Sequence, residues 1–285
     1  MYAVTGATGH LGRLIVENLL QKGIDPGEIV AIVRNPQKAA DLAERGMVVR
    51  VADYADREAL EEALQGVDRL MLVSSNEVGQ RTTHHRNVID AAVKAGVRYV
   101  VYTSILKADT SPMKLAEEHK VSEEMIRASG IPFTILRNSW YFENYTENLS
   151  GALAHGALLG SAGEGRISAA TRADYAAAAA AVLTGEGHEG TVYELGGDQA
   201  FTMAELAQAV TAQSGKKVVY RNLPEEEYVK ALVGFGVPEP YARALADSDT
   251  AISKGALYTD RDDLRRLIGR PTTPLSEAVA AAFRS

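Results

Sequence analysis

Along the first half of the chain, short apolar runs alternate with amphipathic segments. Glu28–Val33 (EIVAIV), Met47–Ala52, Leu70–Val73, Val97–Thr103 (VRYVVYT) and Pro132–Leu136 (PFTIL) are short and carry little polar alternation. That is the pattern of strands covered on both faces. Between them apolar residues recur at helical spacing: Leu11, Leu14, Ile15 and Leu19, then Leu60 and Leu64, then Val88, Ala92 and Val93. Glycines at 23, 66, 96 and 130 stand where such segments should stop, and Asp56 is placed to cap one of them. The spacing predicts helices after the first strand, over 37–45, from Asp56 to Gly66, over 86–95 and over 112–129. Strand and helix in strict alternation predict an α/β chain, a Rossmann-type doubly wound parallel sheet.

After Leu136 the pattern changes. Residues 149–165 are small, polar and glycine-rich, and 174–184 read as an alanine-rich helix. Thr191–Leu195 and Val218–Tyr220 read as further strands. Thr202 with Glu205 three residues on is a capping-box signature for a helix to Gln213. Prolines 238, 240, 271 and 274 punctuate the remainder. The expected organisation is a core over 1–137, completed by about 170–196, and a smaller C-terminal α/β lobe over 138–169 and 197–285 that covers the substrate.

The first strand runs into Gly6-Ala7-Thr8-Gly9-His10-Leu11-Gly12, and a helix follows. Glycines spaced in this way serve a sharp turn, close approach of backbone amides to a pyrophosphate, and close packing of helix on strand. The anion would lie at the helix amino terminus. The second strand ends in Arg34 where dinucleotide folds commonly carry an acid for the ribose 2′-hydroxyl, and no acid follows before Asp41. A cation there suits a 2′-phosphate and favours NADPH over NADH. Ser74, Ser75 and Asn76 end the fourth strand, where small polar residues reach ribose or phosphate; the competing reading is simple turn chemistry.

Composition narrows the rest. A net charge of −7 gives no global basic field for nucleic acid or an acidic membrane. The absence of cysteine removes disulfides, thiol catalysis and thiolate metal sites. No metal site is expected: His84 and His85 are adjacent and cannot both face one ion from a helix. No run is apolar enough for a bilayer span and no signal-peptide pattern opens the sequence, so a cytoplasmic location without membrane insertion is expected.

A nicotinamide-dependent reductase commonly takes its proton from a Tyr-x-x-x-Lys pair, and none of the 12 tyrosines here has a lysine four residues on. His119, one turn before Glu123 and on the face of Leu115 and Ile126, is the candidate acid–base residue, with a core role as the alternative. A missing acid fits an acceptor that needs little protonation. Hydride transfer to a quinone leaves a phenolate-like anion, whose conjugate acid has a pKa of about 10. Asn138 is a candidate partner for the nicotinamide carboxamide. Trp140, Tyr141 and Phe142 concentrate aromatic rings in a chain only 6% aromatic, so they read as a wall for a planar ligand, or as packing.

At these residues the chain resembles the NmrA-like atypical short-chain dehydrogenases. The resemblance is carried by Thr5–Gly12, Ala31–Pro36, Leu136–Tyr141 and Ala170–Tyr175. Ser74–Arg81 and Ala108–Pro112 are similar to the quinone-reducing bacterial branch of that family, with triphenylmethane-dye reductases as near relatives. The resemblance implies NADPH (NADP) held by Gly6, Ala7, Thr8, Gly9, His10, Leu11, Arg34, Ser74, Ser75, Asn76, Asn138, Ser139, Trp140, Tyr141, Phe142 and Glu143. Tyr141, Phe142 and Asn144 are the candidate substrate contacts, the substrate is a small quinone, and a homodimer is a candidate assembly. The same family includes dinucleotide-binding redox sensors with little turnover, so a regulatory module and a reductase of dyes stand as alternatives.

Overall fold

The computed structural model describes residues 1–147 and 149–284. The chain divides into two compact units. The first comprises 1–105, 118–138 and 172–193; the second comprises 106–117, 139–171 and 194 onward. The second unit thus holds nearly as much chain as the first, and it takes in the 106–117 segment that the sequence pattern assigns to the core.

In the first unit β1 (Tyr2–Thr5), α1 (His10–Gln21), β2 (Ile29–Val33), α2 (Ala40–Glu44), β3 (Val48–Val51), α3 (Arg57–Ala63), β4 (Arg69–Leu72), α4 (Arg81–Ala95) and β5 (Tyr99–Ile105) follow one another. Then come α5 (Lys114–Ala128) and β6 (Phe133–Asn138). The sheet order is β3-β2-β1-β4-β5-β6, extended by β8 (Val192–Leu195). β1 pairs in parallel with β2 on one side (Val4 with Ala31) and with β4 on the other (Val4 with Met71). Strand order reverses there, which makes the carboxyl end of β1 the switch point where such sheets bind ligands. All five residues of β2 and all seven of β5 are buried, as their unbroken apolar runs require. The core on one face gathers Val30, Leu60, Leu64, Leu72, Val88 and Tyr102. α4 begins at Arg81, earlier than Val88 and its neighbours indicate, because Thr82, Thr83 and His84 carry no apolar period.

The second unit contains α6 (Glu143–Thr146), α7 (Leu149–His155) and β7 (Ala157–Gly160), then α9 (Met203–Ser214) and β9 (Val219–Asn222). It closes with α10 (Glu225–Gly234), α11 (Glu239–Ser253), α12 (Asp263–Ile268) and α13 (Leu275–Ala282); α8 (Arg172–Thr184) belongs to the first unit and packs on α1. β7 and β9 form a separate parallel pair, Ala157 opposite Val219. α7 is a helix within the small, polar and glycine-rich 149–165 stretch. The capping box at α9 is present: the Glu205 amide donates to Thr202 Oγ1 at 3.2 Å, and the Thr202 amide to Glu205 Oε2 at 2.7 Å. Among the described residues no helix is long and apolar enough to cross a membrane.

Candidate functional site

The turn out of β1 is built on backbone that only glycine supplies. Gly6 lies at φ +59°, and the Gly9 amide donates to its carbonyl at 2.8 Å. A Cβ at Gly12 would fall 2.2 Å from the Gly6 carbonyl oxygen, so any side chain there would force α1 off the turn. α1 has no side-chain cap and no acid in its first turn. Its first intrahelical bond runs from the Arg13 amide to the Gly9 carbonyl, which leaves the amides of His10, Leu11 and Gly12 ahead of it. An uncapped, acid-free helix amino terminus at a switch point is the arrangement that receives a pyrophosphate.

Arg34 follows β2 directly. Its side chain is exposed, and its guanidinium Nη1 donates to Glu77 Oε1 at 2.7 Å. Asp41, the next acid along, is engaged by Arg13 at 2.5 and 3.0 Å. Tyr54 reaches back over the turn: its hydroxyl donates to the Val73 carbonyl at 2.7 Å, and burial raises its pKa.

The loop after β4 is pinned from beneath. The Ser74 amide donates to Thr103 Oγ1 at 2.8 Å, the Ser75 amide to His85 Nε2 at 2.9 Å, and Arg81 Nε to the Ser75 carbonyl at 2.7 Å. Ser75 Oγ meets His84 Nδ1 at 3.1 Å and is buried. Ser75 is therefore a support of the loop, the turn-chemistry reading, while Ser74 is half-buried and Asn76 exposed. Because His85 Nε2 accepts from an amide, its proton lies on Nδ1, which meets Ser122 Oγ at 2.7 Å. Burial above all, then the charge of Arg81, pushes the His85 pKa down to about 3. His84 and His85, weighed from sequence only as metal ligands, hold this loop in place.

His119, the candidate acid–base residue with a core role as the alternative, points inward. It is buried, and its Nδ1 meets the Tyr102 hydroxyl at 2.7 Å. Burial and the Arg81 charge hold its pKa well below 6.5. The ring faces a buried phenol, which supports the core reading of His119. Glu123 does not pair with it. It accepts from Ser104 Oγ at 2.6 Å and from Arg137 Nε and Nη2 at 2.9 and 2.7 Å, with both charged side chains buried.

Asn138 ends β6, opposite Ile105. It is buried, and its Oδ1 has no hydrogen-bond partner among the described residues. An orphaned acceptor at a strand end in this sheet is what a carboxamide N–H would satisfy. With the glycine turn and the open helix end, the first unit's residues fit a nicotinamide dinucleotide.

In the second unit the aromatic cluster divides. Phe142 is buried and stacks on Phe201, centroids 5.5 Å apart, so its face is taken up in packing and not offered to a planar ligand. Ser139 is buried too, with its hydroxyl donating to the Leu257 carbonyl at 3.0 Å. Trp140 and Tyr141 are half-buried, Tyr141 bridging to Ala170, and Asn144 is exposed on α6. Glu143 lines a cavity of about 310 Å³ with Glu147, Glu277, Arg284 and an edge of Phe142.

The sequence pattern of the NmrA-like family matches residues 2–267. The chain belongs to the NmrA-like family. This NmrA-like chain is 55% identical to quinone oxidoreductase 2 of Escherichia coli over 283 residues, 99% of each chain. It is 31% identical to an NAD(P)H azoreductase of Xenophilus azovorans, again over 99% of each. Its structure resembles that of the E. coli NADPH-dependent quinone oxidoreductase complexed with NADPH (TM-score 0.97, 99% and 100% covered). It also resembles Citrobacter triphenylmethane reductase complexed with NADP(H), at 43% identity (TM-score 0.95, 99% and 100% covered).

Proposed function

We propose that this chain is an NADPH-dependent oxidoreductase that reduces quinones. The observation that carries the reading is the cation Arg34 at the end of β2 in place of an acid, beside the open amino terminus of α1. Full-length similarity to quinone oxidoreductase 2 supports the acceptor class. Similarity to azo- and triphenylmethane reductases adds conjugated dyes as a second class. A cytoplasmic homodimer is part of the same reading.

When bound, the dinucleotide supplies a hydride. The amides of His10, Leu11 and Gly12 would hold the pyrophosphate and Arg34 the 2′-phosphate, and Asn138 Oδ1 would accept from the carboxamide. Ser75, His84 and His85 position the loop that carries Ser74 and Asn76. His119 positions Tyr102 within the same network and gives no proton to the acceptor. The reduced quinone needs no dedicated acid, since its anion has a conjugate acid near pKa 10 and water protonates it.

The test is loss of nicotinamide absorbance when a benzoquinone is added to protein and NADPH. Arg34→Ala should raise the KM for NADPH at least about tenfold, the scale of a charge-assisted bond, and leave that for NADH near its starting value. No acceptor-dependent loss across several quinones and dyes would overturn the enzyme reading. Equal effects of Arg34→Ala on both dinucleotides would remove the 2′-phosphate assignment.

A further inference from the structure

The exposed carboxylate that meets Arg34 comes from a different strand end. In the sheet, β2 and β4 flank β1 on its two sides. Arg34 follows β2 and Glu77 lies in the loop after β4, so their 2.7 Å ion pair crosses the end of β1 from which the Gly6 turn departs. The pair is a strap over the phosphate turn.

Glu77 is placed there by construction. Below it the loop is fixed by Thr103, His85 and Arg81, as described. On its far side the Gly79 amide, in a turn at φ +87°, donates to both oxygens of Glu118 at 3.1 and 3.2 Å. The Glu77 amide itself donates to Ser75 Oγ at 3.2 Å. Only the carboxylate end of Glu77 reaches out, and it reaches Arg34. The nearby acids are otherwise engaged: Asp41 by Arg13, and Asp53 by the Ala55 amide at 2.8 Å.

We propose that Glu77 sets the balance between the two dinucleotides: its carboxylate competes with a 2′-phosphate for Arg34 and accepts the 2′-hydroxyl of a dinucleotide that lacks the phosphate. The inference rests on Arg34 being the 2′-phosphate cation. A phosphomonoester carries about −1.5 to −2 charge at neutral pH. It displaces the carboxylate from the guanidinium, and Glu77 then stands as a like charge beside it. A bare ribose leaves the pair intact and gains an acceptor, the service that an acid at the end of β2 gives elsewhere. The acid absent from β2 is in this way supplied from β4, in a form that weakens NADP binding without abolishing it.

The experiment is calorimetric binding of NADP⁺ and NAD⁺, without turnover, to the wild type, Glu77→Gln, Arg34→Ala and the double variant. Glu77→Gln should tighten NADP⁺ about three- to tenfold, the scale of an exposed ion pair plus one repulsion, and weaken NAD⁺. The gain for NADP⁺ should shrink at high salt and vanish in the Arg34→Ala background. NADP⁺ affinity unchanged or weaker in Glu77→Gln, with Arg34→Ala still impairing NADP⁺, would overturn this inference alone. If Arg34→Ala leaves NADP⁺ affinity intact, the 2′-phosphate reading fails and this inference fails with it.

Discussion

In the first unit the imidazoles of His84, His85 and His119 each meet a hydroxyl, of Ser75, Ser122 and Tyr102, and the buried Glu123 and Arg137 hold each other. In the second unit Asp249 accepts from one backbone amide, that of Ser161, at 2.8 Å, and the Tyr145 hydroxyl is buried with no hydrogen-bond partner among the described residues. Burial pushes Asp249 up to about 6 and raises Tyr145. Buried polar groups cost free energy unless they are partnered. The first unit meets much of that cost with networks, and Asn138 Oδ1, which has no hydrogen-bond partner among the described residues, stands where a ligand donor is expected. The second retains strain that a substitution can relieve. The contrast predicts opposite responses to mutation and to acid.

The largest effect should come from breaking the first unit's ion pair. Glu123→Gln keeps the shape but removes the charge that faces both guanidinium nitrogens. Loss of one partner of a buried pair costs roughly 3–5 kcal/mol, read as a lower denaturant midpoint. Glu123→Gln combined with Arg137→Met should lose less than the sum of the two single changes. Additive losses would show that the pair is not coupled.

The second unit should respond in the other direction. Asp249 has a folded-state pKa near 6 against an ordinary 3.8, so its ionised form opposes folding at neutral pH. Stability from this group is fully present below pH 3.8 and is lost as pH rises through about 6. Asp249→Asn keeps an acceptor for the Ser161 amide and removes the charge. It should raise stability at pH 7.5 by about 2–3 kcal/mol and remove this group's gain in stability as pH falls from about 6 to 4. Gly160 should not tolerate alanine, because a Cβ there would lie 2.6 Å from Asp249 Oδ2. A destabilised Asp249→Asn would show that this carboxylate has a cationic partner in solution.

The two units also differ in how far they could be read from sequence. The glycine turn was legible because its geometry admits few residues: φ +59° at Gly6 and the 2.2 Å approach at Gly12 leave no alternative. Parallel strands were legible because burial on both faces erases alternation. The histidine network was not, since His85 finds Ser75 and Ser122 at separations of 10 and 37 residues. His119 kept the inward face of α5 that helical spacing gives it, and spacing alone does not choose between an acid–base role and a core role. The pairing of β7 with β9 joins segments about 60 residues apart and has no local signature. Phe142 was ambiguous for a simpler reason: an aromatic after a strand end can face a ligand or another ring, and Phe201 decided it.

The smallest effect sharpens the comparison through acid alone. His85 is neutral in the folded state, pushed to about 3, against an unfolded value of 6.5. A depressed folded-state pKa contributes stability that is present above pH 6.5 and is lost as pH falls toward about 3. The geometry gives the reason beyond burial. Nε2 accepts from the Ser75 amide, so a second ring proton would point at an N–H and break the support of the loop. From pH 7 to pH 5 the first unit should lose about 2 kcal/mol through this residue, while Asp249 offsets part of the loss in the second. The wild type should therefore show a shallow acid response, and Asp249→Asn, with the offset removed, a steeper one. His85→Gln, which can still accept from the Ser75 amide, should be less sensitive to pH between 5 and 7. It should also bind NADP⁺ more weakly at pH 7.5, because the Ser122 contact that orients the acceptor is lengthened or lost. An acid response in His85→Gln identical to the wild type would locate the acid-sensitive group elsewhere, in His119 against Tyr102.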